Sequence, residues 1–188
     1  MNVRIPSMLA AALVALCPTA AMAAVTVLGG GPAVLCYQAA DQGLPAADNL
    51  IYCNLALSGP LTPRDRAATY VNRGVLKLGE RRYEDAASDF NAGLAINDRM
   101  GEGYVDLGAT EVGRRLYADA VTHITRGLTL GTKQPQVAYF DRAMAHEALG
   151  EVRAAYDDYR QALSVAPDFK PASNELKRFT VTQKPSGT

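Results

Sequence analysis

A pattern that recurs every 34 residues constrains this chain more than any other feature of its sequence. Gly74 and Gly108 are 34 residues apart, and so are Tyr83 and Tyr117. The next copy follows after 35 residues, at Ala143, because one residue has been inserted. A fixed period of this length is typical of a stack of similar units, in which each unit buries its apolar face only against its neighbours.

Small and aromatic residues alternate in the same order in all three copies. The members of the first copy are Tyr70, Gly74, Tyr83, Ala86, Phe90 and Gly93. Those of the second are Tyr104, Gly108, Tyr117, Ala120, Ile124 and Gly127, and those of the third are Tyr139, Ala143, Val152, Ala155, Tyr159, Ala162 and Pro167. We expect the small residues to let the two helices of a unit approach closely, while the aromatic residues fill the space to the next unit.

This order resembles the tetratricopeptide repeat (TPR), a unit of 34 residues that forms two antiparallel helices. The leading Trp of the family is Tyr in every copy here, and only the last copy keeps the closing Pro. The resemblance implies an all-α fold, a right-handed superhelical stack of antiparallel helix pairs (a TPR solenoid) with a C-terminal capping helix. Thr62-Pro63 followed by Asp65 predicts the start of the first full unit, with Thr as N-cap and Pro at the first helical position.

The rest of the chain is divided around this stack. We predict a signal peptide over residues 1–23, a flexible linker over 24–32 and a degenerate first helical hairpin over 33–60. Three TPR units plus the capping helix occupy 61–179, and a disordered tail is expected over 180–188.

The signal peptide is predicted from a charge at Arg4, an apolar run from Met8 to Leu16, and small residues at Ala21 and Ala23, where cleavage would follow Ala23. An uncleaved membrane anchor is the alternative, but the apolar run is shorter than the ~20 residues that span a bilayer. A lipoprotein modified at Cys17 fits less well, because bulky Leu16 precedes that residue. We therefore expect a periplasmic or secreted protein without stable membrane insertion.

Export bears on the two cysteines that follow the predicted cleavage site, Cys36 and Cys53. In an oxidising compartment such a pair favours a structural disulfide, with two free buried thiols as the alternative. Residues 52–57 match residues 89–94 of the next unit, which places Cys53 in a second helix and Cys36 in its partner helix. The resemblance thus puts the two sulfurs face to face across the first hairpin.

The sequence contains no recognisable motif for catalysis, metal binding or cofactor binding. The chain has 19 basic and 19 acidic residues, so its charge does not point to nucleic acid. The two histidines, His123 and His146, lie outside any known ligand or triad spacing and are predicted to be ordinary helix residues. We expect no catalytic residue, no metal and no cofactor. Arg73 with Asp89, and Arg142 with Asp158, are predicted to form salt bridges within their units, whereas the middle unit has Leu107 and His123 at these positions.

In the TPR family the first helix of each unit lines a concave groove. Carried over to this sequence, the partner-binding positions are Val71, Asn72, Val75, Glu102, Val105, Asp106, Phe140, Asp141 and Met144. Members of the family that clamp a carboxylate use Lys, Arg and Asn there, but this chain has acids. The resemblance therefore implies a groove for an apolar protein or peptide, with a basic one favoured by the acids. The alternative is that these are merely solvated helix faces.

The predicted function is a non-catalytic scaffold or adaptor that binds another protein through the concave face. Two alternatives stay open at this point: an enzyme or enzyme subunit with an unrecognised site, and a self-associating structural protein, possibly a homo-oligomer.

Overall fold

The computed structural model describes residues 2–4, 23–28 and 30–182. Within them the chain forms two short strands and nine α-helices. The helices are α1 (Pro32–Asp41), α2 (Ala46–Ser58), α3 (Pro63–Gly79), α4 (Tyr83–Ile96), α5 (Gly101–Gly113), α6 (Tyr117–Leu130), α7 (Pro135–Ala148), α8 (Val152–Val165) and α9 (Lys170–Leu176). Successive helices pair as α1 with α2, α3 with α4, α5 with α6 and α7 with α8, and α9 packs on α8. The all-α stack predicted from the repeat is confirmed.

The first full unit begins where the sequence predicts. The Thr62 hydroxyl oxygen accepts the backbone N–H of Asp65 at 3.1 Å and donates to the Asp65 carboxylate at 2.9 Å. Pro63 occupies the first helical position, where its missing N–H costs nothing.

Each unit turns from its first to its second helix at a residue with left-handed backbone. These residues are Arg81 (φ 59°), Arg115 (φ 62°) and Gly150 (φ 78°), which are equivalent positions in the three copies. At Arg81, bonds from Arg82 N to Lys77 O and from Arg81 N to Leu78 O close the helix end in a Schellman arrangement. Gly79 is the last residue of α3.

Close contact between the helices of a unit depends on the small residues of the repeat. A Cβ atom added at Gly74 would lie 2.7 Å from the Phe90 ring, and one at Gly108 would lie 2.4 Å from Ile124. Phe90, Ile124 and Tyr159, which are equivalent to one another, have no exposed surface. Large residues of α4, α6 and α8 therefore fill the space opposite small residues of α3, α5 and α7, as the repeat predicts.

Salt bridges join the two helices in the first and third units. We call the surface that carries these pairs, Arg73 with Asp89 and Arg142 with Asp158, the flank of the stack. Arg73 donates to both carboxylate oxygens of Asp89 (2.9 and 2.6 Å), and Arg142 does the same to Asp158 (2.7 and 2.7 Å). The predicted pairs are confirmed. Each Arg also lies over the Tyr three residues earlier, at 5.5 and 5.6 Å from the ring centroid.

The same two arginines reach one helix further. The second branch of the Arg73 guanidinium donates to Asn54 of α2 at 2.8 Å, and that of Arg142 donates to Thr125 of α6 at 2.9 Å. Each Arg therefore ties its own unit to the preceding one, so these side chains stabilise the stacking as well as the hairpin.

The middle unit uses a different pair at this place. His123 lies 2.8 Å from a carboxylate oxygen of Glu111 and stacks on Tyr104, with ring centroids 6.1 Å apart. Glu111 occupies the position of Lys77 in the unit before, and Lys77 lies 2.6 Å from Asp89. The first unit therefore has its base on the first helix and its acid on the second, and the middle unit has the reverse arrangement.

The leading hairpin contains the Cys36–Cys53 disulfide, which joins α1 to α2 with their Cα atoms 4.8 Å apart. Both cysteines have no exposed surface, and they pack with Ala39 and Ala40 of α1. The bond closes a short hairpin whose helices carry few large core residues, and this makes it a strong contributor to the order of α1 and α2.

The ends of the chain differ from the sequence-based expectation in two places. Strand β1 (Asn2–Arg4) pairs antiparallel with β2 (Thr180–Thr182), so the first residues of the expected disordered tail are in a strand, and residues 183–188 lie outside the described part. Residues 23–28, where a flexible linker was expected, are held along the helices by side-chain hydrogen bonds. The apolar core of the predicted signal peptide also lies outside the described residues.

Candidate peptide-binding groove

One position of the repeat carries a buried polar side chain in all three units. Asn72 of α3, Asp106 of α5 and Asp141 of α7 each lie two residues before the small residue that contacts the second helix. They are buried, with exposed fractions of 0%, 2% and 6%. Because the units stack side by side, these three polar side chains form a row across successive first helices.

Residues 23–28 of the same chain lie against this row. The amide oxygen of Asn72 accepts the backbone N–H of Val25 at 2.7 Å, and the Asn72 amide nitrogen donates to the Val25 carbonyl at 2.8 Å. This pair of bonds satisfies both backbone groups of one residue, as a neighbouring strand would, and it involves no feature of the Val25 side chain. Asn72 is therefore suited to hold an extended backbone of almost any sequence.

Two further contacts fix the direction of the segment. The backbone N–H of Leu28 donates to Asp65, at the start of α3, at 3.0 Å. Near the other rim, the Lys133 ammonium lies 3.4 Å from the hydroxyl of Thr26. The segment thus runs from the middle unit at its upstream end to the beginning of the first full unit at its downstream end.

Apolar contacts accompany these hydrogen bonds. Ala24 and Val27 are buried, with exposed fractions of 4% and 6%. Ala24 packs in the core cluster of the first full unit, and Val27 packs with Ala33, Ala56 and Ala68. Small apolar side chains on an extended backbone are therefore what this part of the groove accommodates.

The acid pair of the groove, Asp106 and Asp141, has a different environment. Burial raises the pKa of Asp106 well above its usual range, and Glu102 and Asp141 add to the effect while the backbone N–H of Ala23 opposes it. Burial raises the pKa of Asp141 to about 7. One carboxylate oxygen of each, Oδ2, has no hydrogen-bond partner in the part of the chain that the structure describes. Among the ion pairs of the described residues, neither acid takes part.

The remaining predicted site residues are placed less uniformly. Val71 and Val75 are buried in the core cluster of the first full unit, and Val105 packs between α5 and α6. Phe140 packs on Tyr159 and Phe169 at centroid distances of 5.6 and 5.7 Å, with Met144 beside the same cluster. Glu102 lies at the rim, where its carboxylate accepts the backbone N–H of Lys133 at 3.3 Å. The structure therefore brings Asn72, Asp106 and Asp141 together as the polar row and gives the apolar residues packing contacts.

Sequence reasoning missed Asp65 and the segment that occupies the groove. Asp65 was assigned only to the helix start, although its carboxylate also accepts the Leu28 N–H. The segment Ala-Ala-Val-Thr-Val-Leu is apolar and carries no charge, a signal that it could be buried, but its position next to a predicted cleavage site favoured a linker.

Within residues 2–4, 23–28 and 30–182 no group of three or more His, Cys, Asp or Glu side chains is arranged to hold a metal ion. In the same part of the chain, no helix has both the length and the apolar character needed to cross a membrane.

Comparison with known proteins finds similar folds among solved structures, but no match to a family model or to a curated protein. No protein-family model matches the chain, and neither does any curated protein. Solved structures do match: the TPR domain of Arabidopsis OM64 is 20% identical, with a TM-score of 0.60 over 62% of this chain and 96% of that one. MamA is 16% identical, with a TM-score of 0.61 over 77% of this chain and 91% of that one.

A third structure was solved with a ligand. The second TPR domain of human RPAP3, in complex with the HSP70 peptide SGPTIEEVD, is 23% identical, with a TM-score of 0.58 over 62% of this chain and 97% of that one. At these identities the likeness concerns the fold alone. The chain has a TPR fold, a helical stack of the kind that binds proteins and peptides in other proteins.

Proposed function

We propose that this protein is a non-catalytic scaffold of the periplasm or secreted space, which binds an extended apolar segment of another protein in its concave groove. The observation that carries the proposal is the pair of hydrogen bonds between Asn72 and both backbone groups of Val25. A buried side chain that forms hydrogen bonds with both backbone groups of one residue supports recognition of a peptide backbone.

The charge of the groove favours a partner unlike that of the RPAP3 domain. The HSP70 peptide bound by that domain, SGPTIEEVD, is acidic. Here no Lys or Arg in the described ion pairs contacts Asp106 or Asp141, and Glu102 lies at the rim, so the groove offers no cation to an acidic tail. A neutral or basic segment with small apolar side chains, similar to residues 24–28, suits both the charge and the space.

The location rests on the predicted signal peptide, and the Cys36–Cys53 disulfide supports it because such bonds persist in oxidising compartments. N-terminal sequencing of the protein purified from the extracytoplasmic fraction tests this part. A chain that begins at Ala24 is the expected result, and a cytoplasmic chain that begins at Met1 would contradict export.

Photo-crosslinking in the native cell tests the groove. A photoreactive residue at Glu102, on the rim, should give an adduct with a defined partner, whereas the matched probe at Thr122, exposed on α6, should not. Asn72→Ala should abolish the adduct while the circular dichroism spectrum stays helical. Equal adducts from both positions, or an adduct that survives Asn72→Ala, would show that the partner docks elsewhere.

Self-association is a second candidate, favoured by one observation on the first hairpin. Leu35 of α1 and Ile51 and Leu55 of α2 are exposed by 43%, 58% and 52%, and Ile51 and Leu55 lie one turn apart on the same face. Analytical ultracentrifugation of the wild type and of Ile51→Lys/Leu55→Lys tests it. A dimer that the double substitution dissociates would support this candidate, and a monomeric wild type would eliminate it.

A further inference from the structure

Within the described residues, no cation pairs with Asp106 or Asp141, the acid pair of the groove. Both carboxyl groups are more than nine-tenths buried, and each has an oxygen without a hydrogen-bond partner among those residues. Burying an unpaired carboxylate is costly, and proteins usually offset that cost with a cation or by protonation. Two such groups at equivalent positions of adjacent units, each next to the groove, therefore indicate a site for a positively charged group.

The path of residues 23–28 leads directly to this pair. Leu28 is bound at Asp65 and Val25 at Asn72, and the backbone N–H of Ala23 reaches Asp106. Residues closer to the amino terminus of the segment therefore contact polar groups further along the groove. Asp141 is the next member of the row beyond Asp106.

The predicted cleavage after Ala23 would change the chemistry at this point. It would convert the backbone amide of Ala24 into an α-ammonium group, one residue or about 3.8 Å along the chain from the N–H that Asp106 accepts. Removal of Ala23 would also free space beside the carboxylates. Ala24 is already buried, so its new charge would lie inside the groove and not in bulk solvent.

We infer that Asp106 and Asp141 form a binding site for an α-ammonium group, and that its occupant is the chain's own amino terminus at Ala24 after processing. The inference rests on the proposed export and deepens the proposed groove function. Cleavage supplies the cation that the acid pair lacks, and the resulting ion pair holds residues 24–28 in the groove. A partner segment must then displace this terminus in order to bind.

The nearby charged groups do not replace the terminus in this role. Lys133 contacts Thr26 and is exposed, and Glu102, which acts on Asp106, is negative.

The test uses the processed protein purified from cells that export it. The α-amine is acylated with an amine-reactive reagent at a series of pH values, and mass spectrometry of the amino-terminal peptide gives its pKa. An ordinary α-amino group titrates near 7.7 to 8.0. We expect the pKa in the wild type to be higher by one unit or more, so that acylation at pH 7 is about tenfold slower, and we expect an ordinary value in Asp106→Asn/Asp141→Asn.

Asp98→Asn/Asp168→Asn, which neutralises two exposed acids outside the groove, is the matched control and should leave the amine pKa unchanged. An ordinary pKa in the wild type, a terminus other than Ala24, or a raised pKa that persists in the double variant would overturn the ammonium site. The photo-crosslinking from Glu102 is independent of this result: an adduct together with an ordinary amine pKa would retain the groove function and reject the ammonium site alone.

Discussion

Two pairs of carboxylates in this stack are buried to nearly the same extent but have opposite surroundings. Asp89 and Asp158, on the flank, are 3% and 6% exposed, and each receives two hydrogen bonds from an Arg. Asp106 and Asp141, in the groove, are 2% and 6% exposed and face no Lys or Arg in the described ion pairs. The repeat therefore places buried acids at two sets of equivalent positions. The acids of the first set are paired with an Arg, and those of the second set have no cation in the described ion pairs.

This difference separates stability from binding. A buried acid that is fully paired contributes to the native state because removing either partner leaves the other charge buried. A buried acid without a cation reduces stability unless it is protonated or a ligand neutralises it. The salt bridges of the flank stabilise the helix pairs, whereas a role in binding for the groove acids is the proposal made above.

Asp89→Ala should show the largest effect on the free energy of unfolding. It leaves Arg73 and Lys77 without their shared acceptor, both side chains being mostly buried, so we expect a loss of about 3 kcal/mol. Urea unfolding followed by circular dichroism measures it. The control is Asp98→Ala at an exposed position, expected to cost less than about 0.5 kcal/mol. Equal losses in the two variants would refute the structural role of the flank pair.

Asp158→Ala sharpens the same comparison within the flank. Asp158 has Arg142 at 2.7 Å but its second cation, His146, lies 3.8 Å away and is charged only when protonated. We therefore expect a loss smaller than that of Asp89→Ala at pH 8, about 2 kcal/mol. Urea unfolding of both variants at pH 8, followed by circular dichroism, measures the difference.

Asp141→Asn should raise the free energy of unfolding of the unprocessed chain, whereas the two flank substitutions lower it. The pKa of Asp141 is raised to about 7 in the folded state and lies near 4 in the unfolded state. Between these values the folded state binds more protons, so the free energy of unfolding falls as pH rises from about 4 through 7. The asparagine variant should lose this contribution and be more stable by about 2 kcal/mol at pH 8.

The same substitution in the processed chain provides the contrast. If the ammonium of Ala24 pairs with the acids, Asp141→Asn should then destabilise the protein or leave its stability unchanged, and the fall with pH should be weaker. Denaturant titrations of both forms at pH 5 and pH 8 measure the change of sign. An identical stabilisation in both forms would mean that processing does not alter the surroundings of the acid.

The sequence predicts the flank better than the groove, for a physical reason. Arg73 and Asp89 have equivalents in Arg142 and Asp158 and are replaced together in the middle unit, so the copies themselves reveal the contact. The groove occupant has no such repeat. Its position depends on contacts with residues far along the chain, Leu28 with Asp65 and Val25 with Asn72. A local apolar stretch next to a cleavage site does not indicate those contacts.

The burial of the groove acids was missed for a related reason. By analogy with the family, Asp106 and Asp141 were expected to be groove-lining residues that a partner could reach, and their neighbours in sequence are compatible with a solvated helix face. The structure shows them covered, with segment 23–28 beside the row. Contacts between segments far apart in sequence decide this, and they leave no periodic signal.

The middle unit offers the smallest and most specific test of the flank. His123 and Glu111 take the place of the acid and base that Asp89 and Lys77 supply in the first unit, with the charges exchanged between the helices. His123→Asp alone should set two acids side by side and cost about 1 kcal/mol, because the His123 side chain is one-third exposed. Adding Glu111→Lys recreates the arrangement of the first unit and should recover most of the loss. The coupling free energy from this double-mutant cycle measures the pair directly. If the double variant is no more stable than the single one, the exchange of charges is incidental and the flank of the middle unit is held by packing alone.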